Sequence, residues 1–252
     1  MKRAVPLFLW LWLFASWQPA FAGPPAVTAD AALLMDARSG QVFFAKNALK
    51  RREPASLTKI MTAIVALEYG RLEDVVTVSR RAASIRTGSV LGLQAGEKLT
   101  LEGLLKAALV MSANDSTVAI AEHVAGTEEA FVRIMNAKAL VLGATRTRFA
   151  NTNGYHHPQH YTCAWDLALI TRYALQNPVF NRLVAMPRAT VEFCASNRRE
   201  EIANTNRLLL SGAYPGVDGV KTGSTPRAGN CLIASATRGG RRLIAVVLCS
   251  AD

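Results

Sequence analysis

Two apolar runs near the C-terminal end, residues 231–237 and 243–249, are rich in Ile, Leu, Val and Ala and read as strands. Gly239-Gly240 lies between them, and two consecutive glycines suit the positive φ angles of a tight hairpin turn. A second hairpin sits at the other end of the chain. Residues 31–35 and 41–46 flank Asp36-Ala37-Arg38-Ser39-Gly40, a turn by composition. From near Ser56 to about residue 175 the chain is dominated by helical periodicity. Strands at both ends with helices in the middle require one sheet built from both chain termini. The predicted class is therefore α+β, a mixed α/β chain. It has a central antiparallel sheet flanked by helices and an all-helical subregion in mid-sequence.

The helical middle can be followed residue by residue. Ile60, Ile64 and Leu67 recur at helical spacing, so a buried helix is expected from near Ser56 to Tyr69-Gly70, with glycine as the stop. Residues 75–79 are a short β-rich run, and 80–96 read as a loop. Thr100 caps a helix whose stripe is Leu101, Leu104, Leu105, Ala108 and Leu109. Further helices are expected over 116–124, after Thr127 with its first-turn acids Glu128 and Glu129, and over 165–175 before Asn177-Pro178. Residues 189–194 and 216–221 look extended. No repeat or low-complexity linker divides the chain, so residues 23–252 are expected to form one domain.

The first residues carry a separate message. Met1-Lys2-Arg3 is basic, residues 5–17 are almost wholly apolar, and Ala20-Phe21-Ala22 is a small-residue cleavage site. The apolar region is short for a membrane span. Residues 1–22 are read as a signal peptide and the protein as exported. The formal charge of the 252-residue chain is +11, and removal of Lys2 and Arg3 leaves +9. Basic residues are scattered, without the runs or patches of a nucleic-acid binder, so no nucleic-acid partner is expected. Export permits disulfides among Cys163, Cys194, Cys231 and Cys249. Cys231 and Cys249 lie near the outer ends of the C-terminal hairpin. They either face one another or remain free thiols, since a one-residue slip in register separates them.

Three short motifs carry candidate chemistry. Ser56-Leu57-Thr58-Lys59 places a hydroxyl and an amine three residues apart, on one face of a helix. A serine hydroxyl needs a base, and a lysine can serve only if burial or a nearby cation keeps it neutral. Ser112-Ala113-Asn114 sits in a connection between helices, where a hydroxyl and an amide can relay a proton and hold a substrate amide. Lys221-Thr222-Gly223 ends a strand, followed by Ser224. A strand edge offers backbone groups to an extended peptide, and Gly223 allows close approach. Each motif alone is common, as a cap, a turn or a strand end. The three in this order form a specific set.

The chain resembles the low-molecular-mass penicillin-binding proteins, the serine-type D-alanyl-D-alanine carboxypeptidases. The resemblance rests on residues 54–63, 112–115 and 216–223, with Ala228-Gly229 following, and extends from about Ala31 onward. It implies a β-lactamase/transpeptidase-like fold and a peptidoglycan stem peptide as substrate. It also implies Ser56 as nucleophile, Lys59 as general base and Ser112 as proton relay. Asn114, Lys221, Thr222 and Gly223 would bind substrate, and the Ser224 N–H would join that of Ser56 in an oxyanion hole. β-Lactams would be inhibitors. No metal or other cofactor is implied, and a monomer is expected. Two departures stand out. Ser224 replaces the aromatic or histidine that often follows the third motif. The sequence also ends at Asp252, before the carboxylate-holding arginine, closing helix, β-rich domain and membrane anchor of many members. A fragment and a minimal secreted form are both open readings.

Rival readings share parts of this pattern. A class A β-lactamase requires a deacylating glutamate on a loop between the second and third motifs, whereas Glu192, Glu200 and Glu201 lie in the strand-rich region instead. A D,D-endopeptidase shares all three motifs. A non-catalytic wall-binding protein would not need Ser56, Lys59 and Lys221 intact. His156, His157 and His160 cluster beside Pro158 without a carboxylate or cysteine at metal spacing, and are expected in a polar surface loop. Asp166 is assigned a structural role.

Overall fold

The structure is a computed structural model that describes residues 23, 25–194 and 196–251. The proposed signal peptide, residues 1–22, lies outside the described residues. In chain order the elements are β1 (Ala31–Asp36), β2 (Val42–Lys46), a 3-10 turn (Ala55–Thr58), α1 (Lys59–Tyr69), β3 (Val75–Thr77) and α2 (Arg80–Ser84). Next come β4 (Lys98–Thr100), α3 (Leu101–Leu109), α4 (Asn114–Ala125), α5 (Glu128–Val141), α6 (Ala164–Ala174) and α7 (Pro178–Val184). The chain closes with β5 (Arg188–Glu192), β6 (Arg199–Ala203), α8 (Arg207–Ser211), β7 (Val217–Thr225), β8 (Gly229–Arg238) and β9 (Arg241–Ser250).

The main sheet has the order β2-β1-β9-β8-β7, and every neighbouring pair is antiparallel. Both termini contribute, as the two hairpins require. The last strand, β9, lies in the centre and pairs on one side with β1 and on the other with β8. Gly239 and Gly240 adopt φ of 53° and 75°, the two positive angles that let a two-residue turn match strand twist. Burial alternates along β9: Ile244, Val246 and Leu248 are buried, while Leu243, Ala245 and Val247 are only partly covered. Helix α6 packs against β9 and β1, and α7 against β7, so the buried face lies on the helical side.

Helix α1 is buried over residues 59–66 and contacts α3, α4, α5 and α6. A helix covered on nearly every side must be apolar around most of its girth, and Ile60, Met61, Ala63, Ile64, Val65 and Ala66 meet that need. Lys59 is the one charged exception, at 0 % exposure, and the buried Thr62 is polar but hydrogen-bonded. Thr100 and Thr127 cap α3 and α5 by accepting from Gly103 N and Ala130 N. Buried Asp166 accepts from Arg146 N and Thr147 Oγ1, holding the segment after α5.

Several expectations need correction. Residues 80–96 are not all loop, because Ser79 caps a five-residue helix, α2. Helix α4 begins at Asn114, two residues earlier than expected. Helices α7 and α8 and strand β6 were not anticipated; they are five to seven residues long, too short for a periodic stripe to stand out. Of the two readings left open for the cysteines, the structure has free thiols at all four. The β8–β9 register shifts between Asn230 and Leu232, so Cys231 falls opposite an irregularity containing Cys249, whose φ is 55°. His160 is buried at 2 % exposure, not in a polar surface loop.

Candidate active site

The three motifs converge on one cleft of about 910 Å³, lined by Ser56, Ser112, Asn114, Thr222, Gly223 and Ser224 among others. Ser56 sits in the 3-10 turn that leads into α1, directly after Ala55, whose φ is +47°. Positive φ at a residue with a Cβ is uncommon and persists where surrounding contacts hold it. Those contacts can be named. Thr58 Oγ1 donates to Ala55 O at 2.9 Å. Ala150 N donates to His160 Nδ1 at 3.3 Å, which leaves His160 Nε2 as the protonated nitrogen, donating to Thr58 Oγ1 at 2.9 Å. Burial lowers the His160 pKa to about 3, so the ring is neutral, as this chain of bonds requires. On the other flank, a Cβ at Gly223 would lie 2.9 Å from Ser56 N, so β7 can approach the turn only because glycine stands there.

Lys59 Nζ lies 2.9 Å from Ser56 Oγ, 2.7 Å from Asn114 Oδ1 and 2.8 Å from Asn153 O. The orientation of Asn114 is settled by its other end: Nδ2 donates to Thr87 O at 2.7 Å, so the oxygen faces Lys59. Asn114 Oδ1 and Asn153 O can only accept. A neutral amine has two N–H groups and one lone pair. With both N–H groups given to those acceptors, the lone pair points at the Ser56 hydroxyl. The Lys59 pKa is held well below the usual lysine value, first by burial and then by the Lys221 charge, while Asp115 opposes them. Geometry and electrostatics therefore agree on an amine able to accept the Ser56 proton.

The remaining motif residues surround this pair. Lys221 is 1 % exposed, its Nζ donates to Thr222 O at 3.0 Å, and burial lowers its pKa to about 7. Thr222 Oγ1 is bonded to Thr205 Oγ1 at 2.5 Å on the cleft wall. Ser112 lines the cleft at φ +71°, a second non-glycine residue in the left-handed region beside the site. Ser224 is exposed on the same wall. Asn114 is 8 % exposed and is engaged at both ends of its amide, which still leaves one N–H and one lone pair for a ligand. Asp115 accepts from the N–H groups of Leu91, Gly92 and Leu93 and so anchors the segment whose residues 87–89 form the opposite wall. Residues that the motifs did not point to are Asn153, which aims the base, and His160, which holds the turn. Neither lies at a fixed spacing from Lys59 or Ser56, so no local pattern could have found them. Among the described residues, no group of three or more His, Cys, Asp or Glu side chains is placed to hold a metal ion.

An antiparallel sheet thus lies against a helical cluster, with a buried Ser–Lys pair at their junction, the arrangement of a serine–lysine site. The profile of peptidase S11, D-alanyl-D-alanine carboxypeptidase, matches residues 18–251, and the chain belongs to that family. It is 40% identical over 226 residues to the D-alanyl-D-alanine carboxypeptidase DacF of Bacillus subtilis, covering 87% of this chain and 57% of the relative. Against DacC of Escherichia coli the figures are 38%, 89% and 57%. The chain thus spans less than two thirds of these two relatives. A solved D-alanyl-D-alanine carboxypeptidase from Mycobacterium tuberculosis superposes with a TM-score of 0.85 at 34% identity, covering 92% of this chain and 87% of that one. A mutant of the Streptomyces K15 DD-transpeptidase gives 0.85 at 31%, with 91% and 93% covered.

Proposed function

We propose that the protein is a serine D-Ala-D-Ala carboxypeptidase that removes the terminal D-alanine from peptidoglycan stem peptides and is acylated by β-lactams. Ser56 Oγ attacks the carbonyl of the penultimate D-alanine while its proton passes to Lys59 Nζ. The charge that develops on the carbonyl oxygen is met by the main-chain N–H groups of Ser56 and Ser224. Ser112 carries the proton to the leaving amine, and Asn114 holds the peptide amide. Lys221 and Thr222 attract the terminal carboxylate, and Gly223 lets β7 lie close to the nucleophile. Water then enters, Lys59 takes its proton, and the Ser56 ester is hydrolysed. The protein acts outside the cytoplasm after loss of residues 1–22, as a monomer and without a cofactor.

The observation that carries this reading is the fully buried Lys59 amine, with both acceptors in place and only the Ser56 hydroxyl left for its lone pair. Intact-mass analysis after penicillin treatment tests it. Wild-type protein should gain the mass of one opened β-lactam, and Ser56→Ala should gain none while keeping its thermal midpoint. Lys59→Ala should still bind but acylate slower by orders of magnitude, on the order of the loss expected for a general base. An unlabelled wild type, or a labelled Ser56→Ala, overturns the assignment.

A further inference from the structure

The base is aimed by a main-chain carbonyl, and that carbonyl is held by a residue far from the three motifs. Lys59 and Thr62 lie three apart on one face of α1 and address consecutive carbonyls of the same segment. Lys59 Nζ meets Asn153 O at 2.8 Å, and Thr62 Oγ1 donates to Thr152 O at 2.6 Å. Thr152 is 0 % exposed, so its own N–H and hydroxyl need buried acceptors. Both reach one atom, and the hydroxyl also lies 3.0 Å from Thr117 Oγ1. Glu128 Oε1, in the first turn of α5, accepts from Thr152 N at 3.1 Å and from Thr152 Oγ1 at 2.8 Å. The other oxygen, Oε2, accepts from Arg81 Nη2 of α2 at 2.7 Å. Glu128 is thus a buried carboxylate that ties α5 and α2 to the peptide segment next to the base.

We propose that Glu128 is a positioning residue for the Ser56–Lys59 pair, acting through Thr152 on the Asn153 carbonyl. The proposal rests on the function given above and adds a residue to it. Without the carboxylate, the hydroxyl keeps Thr117 Oγ1 but the buried Thr152 N–H has no acceptor, and the segment must shift to satisfy it. A shift of Asn153 O releases one Lys59 N–H, and the lone pair is no longer constrained toward Ser56. Misplacement by about 1 Å is enough to slow a reaction roughly a hundredfold. The contact with Arg81, whose side chain is about half exposed, contributes less. The part of Glu128 that matters is the reach of its oxygen to Thr152, not its charge.

The test separates reach from charge and from simple stability. Acylation by a fluorescent penicillin is followed at several concentrations to split reversible binding from the covalent step. Glu128→Ala should slow the covalent step by roughly 10- to 100-fold with binding changed by less than about twofold. Glu128→Gln keeps an oxygen within reach of Thr152 and should recover most of the rate. Glu128→Asp keeps the charge but falls one methylene short, and should behave like the alanine variant; it gives the same contrast if Glu128→Ala does not fold. A folded Glu128→Asp that acylates at the wild-type rate overturns the proposal. So does a Glu128→Gln that is as slow as Glu128→Asp. Those outcomes leave Ser56 labelling of the wild type intact, whereas a wild type that is never labelled overturns the function itself and this role with it.

Discussion

Gly223 shows how little room the site leaves. A Cβ there would meet Ser56 N at 2.9 Å and Ala55 Cβ at 3.1 Å, so Gly223→Ala must push β7 away from the nucleophile turn. We expect acylation to fall roughly 10- to 100-fold while the protein stays folded, read by penicillin labelling beside a thermal melt. His160 makes a different prediction. Its pKa in the fold is about 3 against 6.5 for a free histidine, so the unfolded chain takes up the proton first as pH falls. The stabilisation from the neutral ring is whole above pH 6.5 and is lost on the way down to pH 3. By pH 4 the loss amounts to roughly 3 kcal/mol, at about 1.4 kcal/mol per pH unit. Urea unfolding at a series of pH values should show this slope, and His160→Phe should flatten it. Lys221, with a pKa near 7, carries its charge below that pH and sheds it above. Capture of an anionic β-lactam should therefore weaken as pH rises through about 7 to 8, and Lys221→Arg should remove that decline. The motifs name Ser56, Lys59 and Lys221 directly, because their spacing is local. His160 and Asn153 were not legible, because what they do depends on a segment about a hundred residues away folding back over Ser56.

Elements set the walls of the cleft. Asp115, the second residue of α4, spends its carboxylate on three consecutive backbone N–H groups, those of Leu91, Gly92 and Leu93. Asn114 N in turn donates to Ser89 O at 2.7 Å. One helix start therefore holds both the amide that touches Lys59 and the wall facing β7. Asp115→Ala should cost about 3 kcal/mol of stability, since buried donors lose a charged acceptor. It should also raise amide hydrogen exchange at residues 91–93 more than in α1, and equal exchange in the two places would refute this account. The long helices were readable from their stripes, and α3 and α5 even from their caps. Helix α2 was not, because a five-residue helix stabilised by one Ser79 cap and by packing on α4 has no periodic signal of its own. The same holds for β6, whose Arg199, Glu201 and Ala203 are exposed and whose pairing with β5 is its main support.

At the scale of the whole molecule, the chain closes on itself through β9. This last strand sits between β1 and β8, so the five-stranded sheet cannot be completed until both ends are present. A variant ending at Gly240 would leave the N-terminal hairpin unpaired from β7–β8 and strip Ile244, Val246 and Leu248 from the core. It should show no cooperative thermal transition by circular dichroism, where the whole chain shows one. The sequence by itself determined the alternation of strands and helices, the use of both termini in one sheet, and the three reactive triplets. These depend on period and spacing within a few residues. Only the tertiary structure decided that Lys59 is dry, that its two N–H groups are occupied by Asn114 and Asn153, and that Glu128 and His160 brace the segment and the turn on either side. Burial and hydrogen-bond saturation belong to residues distant in sequence, and no local pattern encodes which of them will meet.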